Sequence, residues 1–435
     1  MRKIYRIAAV GMACALALSL AGCKKPEKEV KYNPIKEEDD TVYTIYVMQD
    51  NDSDYYNDVL QGYKDALNDL FGDKHVEIKH SVSNEFISVD QIAEAYAVSE
   101  PQLVFANGPQ SVTAIAAAEQ TTPIVGAGVI NFQDELSRIQ AKRDNLLNSV
   151  ATNITLEDAD NNSNNEVSDS SNTDNVQTSE DNPADASTKD STDNQPAQDG
   201  DTNSADSNVE TDNASDSNAE VESTWDGTTK INLCGVSSLS DLESELSLII
   251  ECTPVLYSIG IIYPEGDTDA IYQAQIMEKM ILQAGLKYNE YQLNGSNSEI
   301  IAEACSQNSC LYIPSCTGID QFAKDICNQA TEAHIPTITN DSEASEYALA
   351  SLHEDPYIIG YAAGKLTYRI LVNGEDPSTT QIENANYENE KLYNKKIANA
   401  LEITFPKSFH ERKEFLEEYE IGSTTKRVEK QEASQ

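Results

Sequence analysis

Asp355 and Tyr357, in the run His353-Glu354-Asp355-Pro356-Tyr357, set a carboxylate and a phenol close together at the head of a helical stretch. Facing a cleft, the carboxylate is a natural partner for an ammonium group, and the Tyr357 ring can stack on a ligand ring. Asp355 can equally cap the helix that begins after Pro356. A second candidate is the loop from Ala106 through Asn107, Gly108, Pro109 and Gln110 to Ser111, which leaves a strand pattern and opens a helix. Unpaired N–H groups and the helix dipole suit an anion there, such as an amino-acid carboxylate. An ordinary glycine turn with a cap accounts for the same residues. Ser237 and Ser238 offer hydroxyl donors, or caps for a helix starting near Asp241. Tyr55 and Tyr56 sit in an earlier polar loop, where they can close the opposite side of a cleft.

That polar loop begins Asp50-Asn51-Asp52-Ser53-Asp54, like the start of an EF-hand, but its sixth residue is Tyr55 and its twelfth Gln61. The glycine and glutamate that calcium needs are missing, so no metal is expected. The histidines (His75, His80, His334, His353, His410) are scattered, with no HExxH and no serine-histidine-aspartate context. No cofactor and no enzymatic activity are expected. His334, at a helix end before a strand, suits the carbonyls of that end. The 435 residues carry 30 Lys and Arg against 74 Asp and Glu, a net charge of −44. Such a chain has no basic groove for nucleic acid.

The N-terminus has its own chemistry. Residues 1–6 are basic, 7–19 are uncharged and apolar, and Leu20-Ala21-Gly22-Cys23 follows. The apolar run is shorter than the roughly 20 residues of a membrane span and fits the core of a secretory signal. The four residues resemble the bacterial lipobox. That resemblance implies that residues 1–22 are removed and that Cys23 carries the lipid. It places the mature chain on the outer face of the cell membrane, touching the bilayer only through that anchor. No apolar stretch after residue 23 is long enough to cross a membrane.

Composition divides the rest. Residues 23–40 are charged, contain Pro26 and Pro34, and read as a tether. Residues 151–228 form an acidic insertion, in which Lys189 is the lone base and no aromatic precedes Trp225. So polar a segment buries too little to offset chain entropy, and disorder is expected; 421–435 reads as a disordered tail. Of eight cysteines, Cys14 falls in the signal and Cys23 is the lipid site. Cys234, Cys252, Cys305, Cys310, Cys316 and Cys327 show no metal or CxxC spacing, leaving free thiols and disulfides equally open.

Two similar halves remain. The first alternates strands (Val42–Met48, VEIKHSV, LVFA, PIVGAG) with helical patterns over Asp54–Phe71, Val89–Val98 and Gln110–Gln120. The second repeats the order from strand SIGIIYP through a helix over Asp269–Ala284, strand YNEYQL, a helix over Ser298–Ser306, strand LYIP, a helix over Ile319–Ala333 and strand PTIT. Such alternation predicts α/β lobes with parallel sheets, and ligands of such sheets sit beyond the carboxyl ends of the strands. The boundaries are 41–150 for lobe 1, 229–253 for the return to it and a crossover, 254–350 for lobe 2, and 351–420 for a crossover helix and C-terminal segment.

These stretches carry a resemblance. QGYKDAL (61–67), PQLVFANGPQSVTAIAAAEQTTPIV (101–125), CGVSSLSD (234–241), SIGIIYPEGDTDAIYQ (258–273), PYIIGYAAGKLTYRIL (356–371) and ANALEITFP (398–406) resemble, in order and spacing, the substrate-binding lipoproteins of ABC importers. The match is to the family that includes tryptophan- and tyrosine-binding members. The resemblance implies a type I periplasmic-binding-protein fold closing by a hinge on a small solute, most plainly an amino acid, with ABC permease and ATPase subunits as partners. Asp355 and Tyr357 then align with an acidic residue and a tyrosine common in the family. A His-Pro pair usual in the first loop and an Asp-Asn pair usual near 314–319 are absent. A surface lipoprotein that keeps the fold for sensing or adhesion is the alternative.

Overall fold

The computed structural model describes residues 32, 35, 40–162, 225–295, 297–385 and 389–419, with the backbone alone for 148–162. The chain divides into two units, one of residues 1–147 with 225–435 and the other of 148–224. Of the second, the described part is the end of one long helix, which reaches Asn162.

The first unit holds two sheets. In lobe 1 the strands β1 (Tyr43–Gln49), β2 (Val76–Val82), β3 (Leu103–Asn107), β4 (Ile124–Val129) and β5 (Leu233–Ser237) are parallel, in the order β5-β4-β3-β1-β2. In lobe 2, β6 (Ser258–Pro264), β7 (Lys287–Leu293), β8 (Cys310–Ile313), β9 (Thr337–Thr339) and β10 (Ala350–His353) are parallel, in the order β10-β9-β8-β6-β7. Three short strands complete the edges: β11 (Glu383–Asn384) beside β5, and β12 (Glu390–Tyr393) with β13 (His410–Glu411) beyond β10. The β10–β12 pair is antiparallel.

Residue type explains which strands are central. Every residue of β3 is buried, and β6 is buried except at Pro264; continuous apolar runs belong inside parallel sheets covered on both faces. β2, which alternates polar and apolar residues, takes an edge. The helices α1 (Asp54–Phe71), α2 (Val89–Ala97), α3 (Pro109–Ala118) and α4 (Phe132–Asn162) connect the lobe 1 strands. In lobe 2 the order is α5 (Leu242–Cys252), α6 (Thr268–Gln283), α7 (Ser298–Gln307) and α8 (Asp320–Glu332). The two-lobed α/β architecture expected from the sequence is the one observed.

The chain crosses between lobes three times. After β5 it enters α5, whose Leu242, Leu246 and Ile249 share a core with Ile259 and Tyr312 of lobe 2. After β10 it returns as α9 (Pro356–Leu371), whose Ile359, Ala363 and Leu366 join Val59 and Tyr63 of α1 in the lobe 1 core. After β11 it crosses once more to β12. The α1–α9 contact is close. A Cβ on Gly360 would stand 1.7 Å from the Val59 carbonyl oxygen, and one on Gly62 2.0 Å from that of Tyr357. Glycine is required there because backbone meets backbone.

Three expectations change. Helix α4 runs to Asn162, into the segment read as insertion from 151, since no proline or glycine interrupts residues 132–162. The polar bias hid that continuity. Trp225, assigned to the insertion, packs against the lobe 1 core and donates its indole N–H to the Thr228 carbonyl at 2.8 Å. Within the tether, Tyr32 lies edge-on to Tyr368 at 5.8 Å, and the Ile35 N–H donates to Leu70 O at 3.1 Å. An aromatic and an aliphatic side chain in a charged linker bind back to apolar surface. The signal segment, Cys23, residues 163–224 and the 421–435 tail lie outside the described residues. All six remaining cysteines are free thiols, with Cys316 alone incompletely buried.

Candidate functional site

A cleft of about 570 Å³ opens between the lobes at the ends of the strands. Lobe 1 contributes the first turns of α1, with Tyr55, Tyr56 and Asp58, and Ser238 after β5. Lobe 2 contributes Asp269 and Gln273 of α6, Ser315 to Thr317 after β8, Asn340 after β9 and Glu354 after β10. The helix over 412–419 closes one end with Arg412, Leu416 and Tyr419.

The tyrosine pair stands T-shaped at 5.2 Å. Burial pushes the Tyr55 hydroxyl up to about 12, against a bond to Ser238. Burial likewise raises Tyr56, with Asp50 adding to it. The floor is stiffened by Asn340, whose Nδ2 donates to Ser240 Oγ at 2.5 Å and Gln273 Oε1 at 2.9 Å, and whose Oδ1 accepts the Ser315 N–H at 2.6 Å. Ser315, Cys316 and Thr317 line this part of the cleft with small side chains.

Charge is lopsided. Asp54, Asp58, Asp269 and Glu354 all line the cleft, against Arg412 as its single Lys or Arg among the described residues. Burial first, then Asp267, pushes Asp269 up to about 6. Burial pushes Glu354 up to about 8, with Asp241 adding to it. Arg412 donates its Nε–H to Ser345 Oγ at 2.8 Å and is lowered by burial. Carboxyls raised by burial in a cleft are what a cationic ligand group would discharge.

The predicted residues divide. Tyr55, Tyr56 and Ser238 reach the cleft together. The helix start at Gly108–Ser111, offered to a ligand carboxylate, is already occupied. Asp50 accepts the Gln110 N–H at 3.0 Å and the Ser111 N–H at 2.6 Å. Gly108, at φ +120°, permits this, because a Cβ there would come within 2.3 Å of Asp50 Cγ. The anion is the protein's own. Asn107 turns inward, its Nδ2 donating to the Tyr56 carbonyl at 2.8 Å. Ser237 is tied to the Val129 and Ile130 carbonyls at 3.2 and 3.0 Å, and α5 is capped by Asp241, not by the serines. Asp355 is the cap of α9, accepting the Tyr357 N–H at 3.0 Å. The Tyr357 hydroxyl donates to Asp65 at 2.9 Å, and its ring stacks on Tyr361, away from the cleft lining.

Asp58, Asp269, Asn340, Glu354 and Arg412 were not singled out from the sequence. Asp269 had a usable signal: it opens a helix just after strand SIGIIYP, the position that drew attention to Gly108 in lobe 1.

Residues 221–413 match the family model described as ABC transporter substrate binding protein. Over that span, which is less than half of the chain, the sequence is similar to that family. The type I periplasmic-binding-protein fold extends over both lobes, as solved structures show. The ligand-free, open form of a substrate-binding protein with adhesive properties from Clostridium difficile aligns with TM-score 0.58 and 17% identity, over 85% of this chain and 99% of that one. An ABC domain in complex with L-Trp from Streptococcus pneumoniae aligns with TM-score 0.52 and 16% identity, over 85% and 97%. A conserved domain protein from Vibrio cholerae gives 0.52 and 17%, over 85% and 97%. No curated protein matches the sequence. Among the described residues no helix is long and apolar enough to cross a membrane.

Proposed function

We propose that this chain is a substrate-binding lipoprotein, anchored through Cys23, that captures an amine-bearing small solute, most simply an amino acid, for an ABC permease and its ATPase. The carrying observation is the acid-rich cleft, with Asp58 from one lobe and Asp269 and Glu354 from the other. Carboxylates on both sides of a hinge give an ammonium group partners that come together only on closure. With the helix start at Gly108 taken by Asp50, a zwitterion's carboxylate is assigned to Arg412, and the Tyr55–Tyr56 pair is placed to receive a ring. The L-Trp held by the pneumococcal neighbour is of this chemical class. Labelling with a palmitate analogue checks the anchor: label reaches the natural chain and is lost in Cys23→Ala. A thermal-shift panel checks the solute. Amino acids or amines raise the melting temperature, by an amount equivalent to about 2.7 kcal/mol at a hundredfold excess over Kd, and sugars and nucleosides leave it unmoved. The reverse pattern refutes the amine reading. A role in adhesion is the second reading, favoured by the adhesive properties of the Clostridium difficile neighbour.

A further inference from the structure

Behind the inner wall of the cleft lies a group of polar atoms that the fold leaves unsatisfied. Glu245, on α5, is 0% exposed, and neither of its carboxyl oxygens has a hydrogen-bond partner. The Tyr312 hydroxyl, from β8, is equally buried and equally unpartnered. Glu354 lines the cleft itself and acts electrostatically on both. Its Oε1 accepts the Asp241 N–H at 3.2 Å. The other described groups facing the cluster are Asp241, which acts on both glutamates, Cys316, which acts on Tyr312, and Tyr55 and Cys252, on which Glu354 and Glu245 respectively act. None of them is a base.

A buried carboxyl and a buried phenol without a partner cost stability. What these atoms lack is a partner, and an ammonium group, with three donors and no acceptor, suits carboxyl oxygens that ionise as it enters. A divalent metal is the poorer fit, because among the described residues no grouping of three or more His, Cys, Asp or Glu could hold one. We propose that Glu354, Glu245 and Tyr312 form the seat for the solute's protonated amine, which donates to Glu354 at the cleft wall and reaches Glu245 and Tyr312 behind it. This rests on the amine reading of the cleft and adds both the seat and an exchange of charge.

The exchange follows from protonation. Burial above all, then the charges of Glu354 and Asp241, holds Glu245 well up, while Glu354 is pushed to about 8. Near neutrality the Glu354 carboxyl of the empty seat keeps its proton. As the ammonium enters, one carboxyl ionises and its proton passes to solvent, so one cation goes in and one proton comes out. The amine itself stays protonated, since alkylamines titrate near 10. Linkage then makes affinity rise roughly tenfold per pH unit between about pH 6 and 8.

The probe is n-butylammonium chloride, titrated calorimetrically into the full chain in buffers of differing ionisation heat, with n-butanol as the uncharged control. Expected are binding of the cation alone, release of one proton, the tenfold-per-unit slope, and at least a tenfold loss of affinity in Glu245→Gln. Affinity independent of pH with no proton released overturns the seat, and that readout needs no variant. Glu245→Gln binding as tightly as the natural chain also overturns it. If n-butylammonium then still binds and Asp269→Asn abolishes that binding, the amine reading of the cleft survives while the seat falls. No binding of the cation at all removes both.

Discussion

Asp50 shows how a single carboxylate reassigns a site. From the sequence, the start of α3 is a candidate anion site, and the polar loop after β1 is a separate polar cleft loop at which no metal is expected. Folded, they answer each other: the Asp50 carboxylate is the anion at the helix start. Burial raises that carboxyl against the pull of the Gln110 and Ser111 N–H groups and the Ser111 hydroxyl. Removing it strands two N–H groups at a buried helix end, so Asp50→Ala should lower unfolding free energy by about 1–2 kcal/mol, the range of a lost cap with a favourable dipole contact. Urea denaturation measures this. Unchanged stability would mean that the helix start is not held by Asp50. Asp355 teaches the same lesson, because its capping role was legible beside its ligand role and Pro356 at the first helical position already favoured it. Glu354, one residue earlier, was passed over because a glutamate before a cap has no motif; only the fold turns it into the cleft.

Elements were easier to read than side chains. Helix α1 lies where its Leu60, Tyr63, Leu67 and Leu70 spacing puts it, and β6 spans the residues read as a strand. Periodicity and continuous apolar runs are local signals, and both survive folding. The short edge strands β11 to β13 carry no such signal. They are two to four residues long and exist because neighbouring strands offer free backbone groups. The GYAAGK run of α9 is weak as a motif, yet it has a structural cause in the close α1–α9 crossing. Gly360→Ala should therefore destabilise by about 1–3 kcal/mol through overpacking, in spite of alanine's better helix propensity. Differential scanning calorimetry gives the sign at once: a raised melting temperature would contradict the close crossing. Because α1 carries Tyr55, Tyr56 and Asp58, and α9 begins beside Glu354, this crossing also sets the spacing of these cleft-lining groups.

At the scale of the whole molecule, three chain crossings join two lobes whose facing ends share an acidic cleft. The halves were legible because each repeats the same βα alternation. The way they share helices, with α5 in the core of lobe 2 and α9 in that of lobe 1, depends on long-range packing that no local window contains. The same distance hid Asp269, which matters only because the fold brings it to the cleft that Asp58 and Tyr56 also line. A bond between an ammonium and a buried carboxylate is worth about 1.5–3 kcal/mol when the partner is removed, or roughly tenfold or more in affinity. The most direct measurement is isothermal titration of the natural chain and of Asp269→Asn with the amino acid or amine that shifts the melting temperature most. The account predicts one solute per chain and at least a tenfold weaker Kd in Asp269→Asn, with the variant's melting temperature retained. Equal affinity in the two proteins, or tight binding of an uncharged sugar or nucleoside in place of any amine, would contradict it.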